Sequence, residues 1–171
     1  MKKFFKKYLG ESIGDFPSRI EKREFIYVLI QLRIVIGIEE KERGLRIIPK
    51  LFSVIEKTNG DINQFVGDTL LVFYGVPSRG PSLFNDFRAL LDELSEMEDV
   101  LHAIGGLDVG LYGPFGYEKR FIVTGLSHKL LEDFHKLNDL QIGRIYIHRN
   151  LWEKLGSPRM RENIIIFKDA D

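Results

Sequence analysis

The chain has no cysteine, so disulfides and thiolate metal centres are excluded and the redox compartment stays open. It has no surplus of either charge. Its 25 lysines and arginines balance 25 aspartates and glutamates, which leaves no global field to draw it to nucleic acid or anionic lipid. No apolar run approaches the roughly 20 residues of a membrane span. The longest candidate, Phe25 to Ile38, is interrupted by Gln31 and Arg33, so no transmembrane segment is expected. Repeats and low-complexity tracts are also missing. The basic start, Met1 to Leu9, lacks an apolar core and a small-residue cleavage site, so it does not read as a signal peptide. These absences predict a cytoplasmic protein.

What is present is ordinary for a globular domain: 171 residues, 44% hydrophobic and 29% charged, enough to bury a core without staples. Residues 1–19 read as a short amphipathic helix, with Phe4, Phe5, Tyr8 and Leu9 on one side and lysines on the other, followed by a linker. Residues 20–171 read as the domain. Phe25 to Val35 is rich in Ile, Val, Leu and Tyr and predicts a central strand buried on both faces. Glu39 to Thr58 has helical spacing and stops at Asn59-Gly60, with Pro49 predicting a kink or a restart inside it. A hairpin over 61–75 follows.

Ser82 to His102 predicts a second amphipathic helix with Ser82 as its N-cap. Leu107–Tyr112 and Arg120–Thr124 read as strands around a loop at Gly113 to Tyr117. The spacing then predicts a helix over 126–137 with Leu126, Leu130, Leu131, Phe134 and Leu137 facing inward. Gly143–His148 and Asn163–Lys168 read as late strands around a short helix, Asn150 to Leu155. The order predicts an α+β fold: a ferredoxin-like βαββαβ core with a C-terminal αβ extension, in which a mainly antiparallel sheet carries helices on one face.

The most informative segment is Gly60 to Pro77, where two apolar strands meet at Gly67-Asp68 and set a carboxylate at a hairpin tip. This segment resembles the core hairpin of class III adenylate and guanylate cyclase catalytic domains. Val109 to Pro114, Gly116 to Gly125 and Ile142 to Leu155 look like later parts of the same family, so the likeness covers roughly residues 24–155. The resemblance implies head-to-tail dimers and a two-metal mechanism, in which two aspartates hold the ions that clamp the triphosphate. Asp68 takes the second aspartate's place as a metal ligand. The first belongs near Gln31 or Leu32, and between Phe25 and Ile38 there is no Asp or Glu.

Other family positions depart as well. The base-selecting lysine is Gln64 here, and the asparagine and arginine of the last catalytic helix fall on Lys129 and Asp133. Gln64 and Lys129 are therefore the candidate nucleotide contacts, and no catalytic residue is assigned. The resemblance then implies a catalytically degenerate cyclase-like domain, a dimerisation or regulatory module in signal transduction. It would pair with itself or with a related cyclase domain, with nucleotide binding left open. No cofactor is expected, and Mg or Mn with ATP or GTP enters only if activity is retained. The alternative is a divergent adenylate or guanylate cyclase (a phosphorus-oxygen lyase), or the accessory half of a heterodimeric one. A nucleic-acid partner is not expected, since no strand carries a basic aromatic stripe. His128, Glu132 and His135 share a helical face with metal-ligand spacing, and a solvated face is the expected role.

Overall fold

The computed structural model describes residues 20–32, 38–76, 82–97, 101–115, 120–124, 128–156 and 161–167. The expected N-terminal helix and linker lie outside these residues. The elements are β1 (Glu21–Leu32), α1 (Ile38–Lys57), β2 (Asp61–Val66), β3 (Thr69–Tyr74), α2 (Leu83–Ser95) and β4 (Leu101–Phe115). They continue with β5 (Arg120–Thr124), α3 (His128–Lys136), a 3-10 turn (Leu137–Asp139), β6 (Ile145–His148), α4 (Arg149–Lys154) and β7 (Ile164–Phe167). Seven strands form one sheet in the order β2-β3-β1-β4-β6-β7, with β5 also paired to β4. Pairs within the first five strands are antiparallel, while β6 and β7 join in parallel. The α+β fold with its ferredoxin-like core and αβ extension is thus in place.

β1 is central because both its faces are apolar. Ile26, Val28, Ile30 and Leu32 point to a core closed by α1, α2 and α4. Phe25, Tyr27 and Leu29 point the other way, to a second core that includes Leu130 and Leu137. So α3 and the turn after it add a cover on the face opposite the other three helices. Each large side chain buried in these cores contributes on the order of 1.5–3 kcal/mol.

Several boundaries differ from expectation. The second helix ends at Ser95, not His102, and Leu101-His102 instead open β4. Sheet pairing overrides helical spacing here, since Leu101 sits opposite Leu32 and His102 opposite Gln31. β4 begins six residues before the expected strand at Leu107, and it also takes in Gly113, Pro114 and Phe115, which pair with β5. Gly105-Gly106 hides the strand in the sequence, yet a Cβ at Gly105 would stand 2.9 Å from the Phe87 ring. β1 starts at Glu21, ahead of the expected Phe25. Pro49 does not divide α1, whose 20 residues run as one helix. Its side chain is exposed. Ser82 holds the N-cap position of α2 in an extended conformation without a side-chain cap bond.

α3 departs in which side it buries. Leu130 and Leu137 face inward as expected, but Leu131 and Phe134 are 58% and 47% exposed. The inward position between the two leucines goes instead to Asp133, which is fully buried.

Candidate functional site

The hairpin β2–β3 turns through Gly67 at φ 62°, a left-handed value that glycine adopts without strain, and Asp68 follows at the tip. The tip is tied to β1, since the Leu32 amide donates to the Asp68 carbonyl at 2.8 Å. Next to it, Gln31 lies opposite Thr69 on one side and His102 on the other. The Gln31 side-chain Nε2 donates to Asp68 Oδ1 at 3.2 Å and Oδ2 at 3.4 Å, and to Asn138 Oδ1 at 3.1 Å. Thr69 Oγ1 adds a bond to Asp68 Oδ1 at 3.1 Å.

Gln31 therefore rests against Asp68, at one of the two places where the resemblance implies another carboxylate. Among the described residues no group of three or more His, Cys, Asp or Glu could hold a metal ion. A pair of divalent cations does not fit this donor set, because one carboxylate and two neutral amides cannot offset their charge. His135 and Glu132 are both exposed on α3, and Glu132 pairs with Lys136 at 3.8 Å.

The two other candidate residues lie on β2 and at the start of α3. Gln64 is exposed on β2 beside a register shift between Ile62 and Gln64, and Lys129 is half-buried at the start of α3. Asp133, which the resemblance sets in a phosphate-binding place, turns into the core, fully buried. There the Tyr27 hydroxyl donates to its Oδ2 at 2.7 Å and His148 Nε2 meets the same oxygen at 2.6 Å. Among the described residues, Asp133 Oδ1 is buried without a hydrogen-bond partner. A carboxylate so held is a structural pin rather than a phosphate contact.

His102 stands opposite Gln31 on β4. Burial pushes its pKa down, opposed by its bond to the Leu137 carbonyl and by the field of Asp68. It bonds that carbonyl through Nε2 at 2.8 Å, which makes Nε2 the protonated nitrogen. Across the sheet, Tyr112 lies under the Arg23 guanidinium at 4.5 Å, and burial pushes its hydroxyl up to about 12. Sequence reading missed Asn138, Tyr27, His148 and His102. No local motif marks them, since only the assembly of β1, β4, β6, α3 and the turn after it brings them to these positions.

No protein-family model and no curated protein matches the chain. Solved structures do match. The crystal structure of the guanylyl cyclase Cya2 is similar with a TM-score of 0.61 and 21% identity, covering 80% of this chain and 80% of that one. The fold is that of a class III cyclase catalytic domain. The cyclase fold recurs in the dimeric guanylyl cyclase domain of the RhoGC fusion protein from the aquatic fungus Blastocladiella emersonii. That domain matches with a TM-score of 0.60 and 11% identity, over 80% of this chain and 86% of the other. The adenylyl cyclase CyaB from P. aeruginosa matches with a TM-score of 0.56 and 14% identity, over 83% of this chain and 85% of the other. No helix among the described residues is long and apolar enough to cross a membrane.

Proposed function

We propose that this chain is a catalytically silent cyclase-fold module that acts by pairing, with itself or with a related cyclase domain, in cytoplasmic signalling. The observation that carries the reading is the contact of Gln31 with Asp68. Two-metal chemistry needs carboxylates to offset two dications, and here an amide stands beside the single carboxylate. The α3 position that would stabilise phosphate charge holds Asp133, pinned in the core by Tyr27 and His148. Pairing is supported by the exposed Leu131 and Phe134 of α3, and by a fungal domain of the same fold described as dimeric.

The test is direct. The purified chain with ATP or GTP and manganese should yield no cyclic nucleotide above the blank. Turnover that vanishes in Asp68→Ala would overturn the reading. A thermal-shift screen with both nucleotides then asks whether binding through Gln64 and Lys129 outlives the chemistry.

One observation favours a second reading, the accessory half of a heterodimeric cyclase. Asp68 is only half-buried at the hairpin tip, within reach of a partner. Mixing with an intact related cyclase should then raise turnover in wild type but not in Asp68→Ala.

A further inference from the structure

The two outer edges of the sheet are finished differently. β2 is interrupted by a register shift between Ile62 and Gln64 and shows exposed, polar Asn63 and Gln64, features that blunt an edge against further pairing. β7 carries no such device. Ile164, Ile165, Ile166 and Phe167 are consecutive strand formers without charge, proline or glycine. Both faces of β7 are packed, Ile164 and Ile166 on one core and Ile165 and Phe167 on the other. Yet among the described residues only β6 pairs with it. The Asn163 carbonyl accepts from the Ile145 amide at 2.8 Å, so strand alternation turns Ile165 toward β6 and turns Ile164 and Ile166 outward. The Ile164 amide closes a turn onto the Arg161 carbonyl at 3.1 Å. The Ile164 carbonyl and both backbone groups of Ile166 then face the open edge.

The sequence around this edge is complementary to itself. Arg161-Glu162 precedes the apolar run and Lys168-Asp169 follows it, at equal counts from Ile165. We propose that two copies of the chain join edge to edge through β7, antiparallel, about a two-fold axis at Ile165. In this register the Ile166 amide of each copy donates to the Ile164 carbonyl of the other, and their side chains pack together on one face. Glu162 of one copy comes to Lys168 of the other, and Arg161 to Asp169. Arg161 is already held by Asp92 and Glu96 of its own α2, at 2.9 and 2.8 Å, so exposed Glu162 carries the new charge contact. Parallel pairing would set each charge beside its own kind, which is unfavourable. Sliding the partner by two residues would bring Glu162 to Ala170 and lose the pair. So short an edge makes a weak, salt-sensitive dimer. This inference goes beyond the proposed function, whose pairing rests on Leu131 and Phe134, since no residue of α3 enters it.

The lack of cysteine makes cross-linking a clean test. A residue on the axis meets its own copy as a non-hydrogen-bonded pair, with Cα atoms about 4.5 Å apart, inside the range of a disulfide. Ile165→Cys in the full chain should give a disulfide-linked dimer with copper phenanthroline as oxidant, and Ile166→Cys should not. Sedimentation equilibrium supplies the second readout. Glu162→Lys and Lys168→Glu should each weaken the dimer roughly fivefold, because the two-fold turns two attracting pairs into two repelling ones. The double variant Glu162→Lys with Lys168→Glu should regain wild-type affinity, since each contact again joins opposite charges. A cross-link from Ile166→Cys in place of Ile165→Cys overturns the register. No cross-link from either variant, with charge changes that leave association untouched, overturns the interface. Association that ignores these changes and is lost with Leu131→Ser and Phe134→Ser would keep the α3 pairing and reject this edge. Cyclic nucleotide formation would sink the silent-module reading and leave this one standing.

Discussion

Tyr27 and Gly106 stand opposite each other on β1 and β4, and the phenol ring occupies the space a side chain at 106 would need. A Cβ there would lie 2.3 Å from Tyr27 Cζ and the hydroxyl oxygen. The glycine that breaks the apolar pattern of β4 therefore lets Tyr27 reach Asp133. Gly106→Ala should cost about 1–3 kcal/mol through overpacking, seen as a lower midpoint in urea unfolding. An unchanged midpoint would mean that the ring has another place to go.

Tyr27→Phe removes one of the two donors on Asp133 Oδ2. The loss should be about 1–3 kcal/mol, since the carboxylate stays buried with less support. Hydrogen exchange should speed first in α3, because the bond joins that helix to β1. Uniform acceleration across the sheet would argue against a role specific to α3.

Acid should weaken the fold through His102. Its folded pKa lies below the unfolded value of 6.5 because burial opposes the charged ring. Below that value the unfolded chain binds more protons, so stability falls as pH drops from about 6.5 toward the folded pKa and is fully present above 6.5. His102→Gln should flatten the slope of unfolding free energy between pH 7 and pH 5. A slope that survives the substitution assigns the effect to another group.

Leu130 and Leu131 are sequence neighbours with opposite fates, one 5% and the other 58% exposed. Leu130→Ala should cost about 2–5 kcal/mol. Leu131→Ser with Phe134→Ser should stay within about 0.5 kcal/mol per site and should weaken self-association by sedimentation equilibrium. Unchanged association would move the pairing surface away from α3.

The order of elements was legible in the sequence because β1 is apolar on both faces and glycines punctuate α1 and the hairpin. The Gly67-Asp68 turn was legible for the same reason, since its chemistry is local. The second helix reads too long in the sequence because Met97 and Leu101 continue its spacing, although Leu101 belongs to a strand whose partner lies far back in the chain. The inner side of α3 is hidden in the sequence for a related reason. Periodicity locates an apolar arc, but it does not reveal that Tyr27 and His148 await a carboxylate beneath it. Gln31 was recognisable as the place where a second acid was missing. Its grip on Asn138 was not, since 107 residues separate them.

β4 shares an edge with β1 from Leu101 to Tyr112, with β5 near its far end and with β6 near its start. A strand that borders three others leaves no seam along which the sheet could part into independently melting halves. Disturbance at either end should therefore register throughout, and calorimetry of the intact chain should record a single cooperative transition.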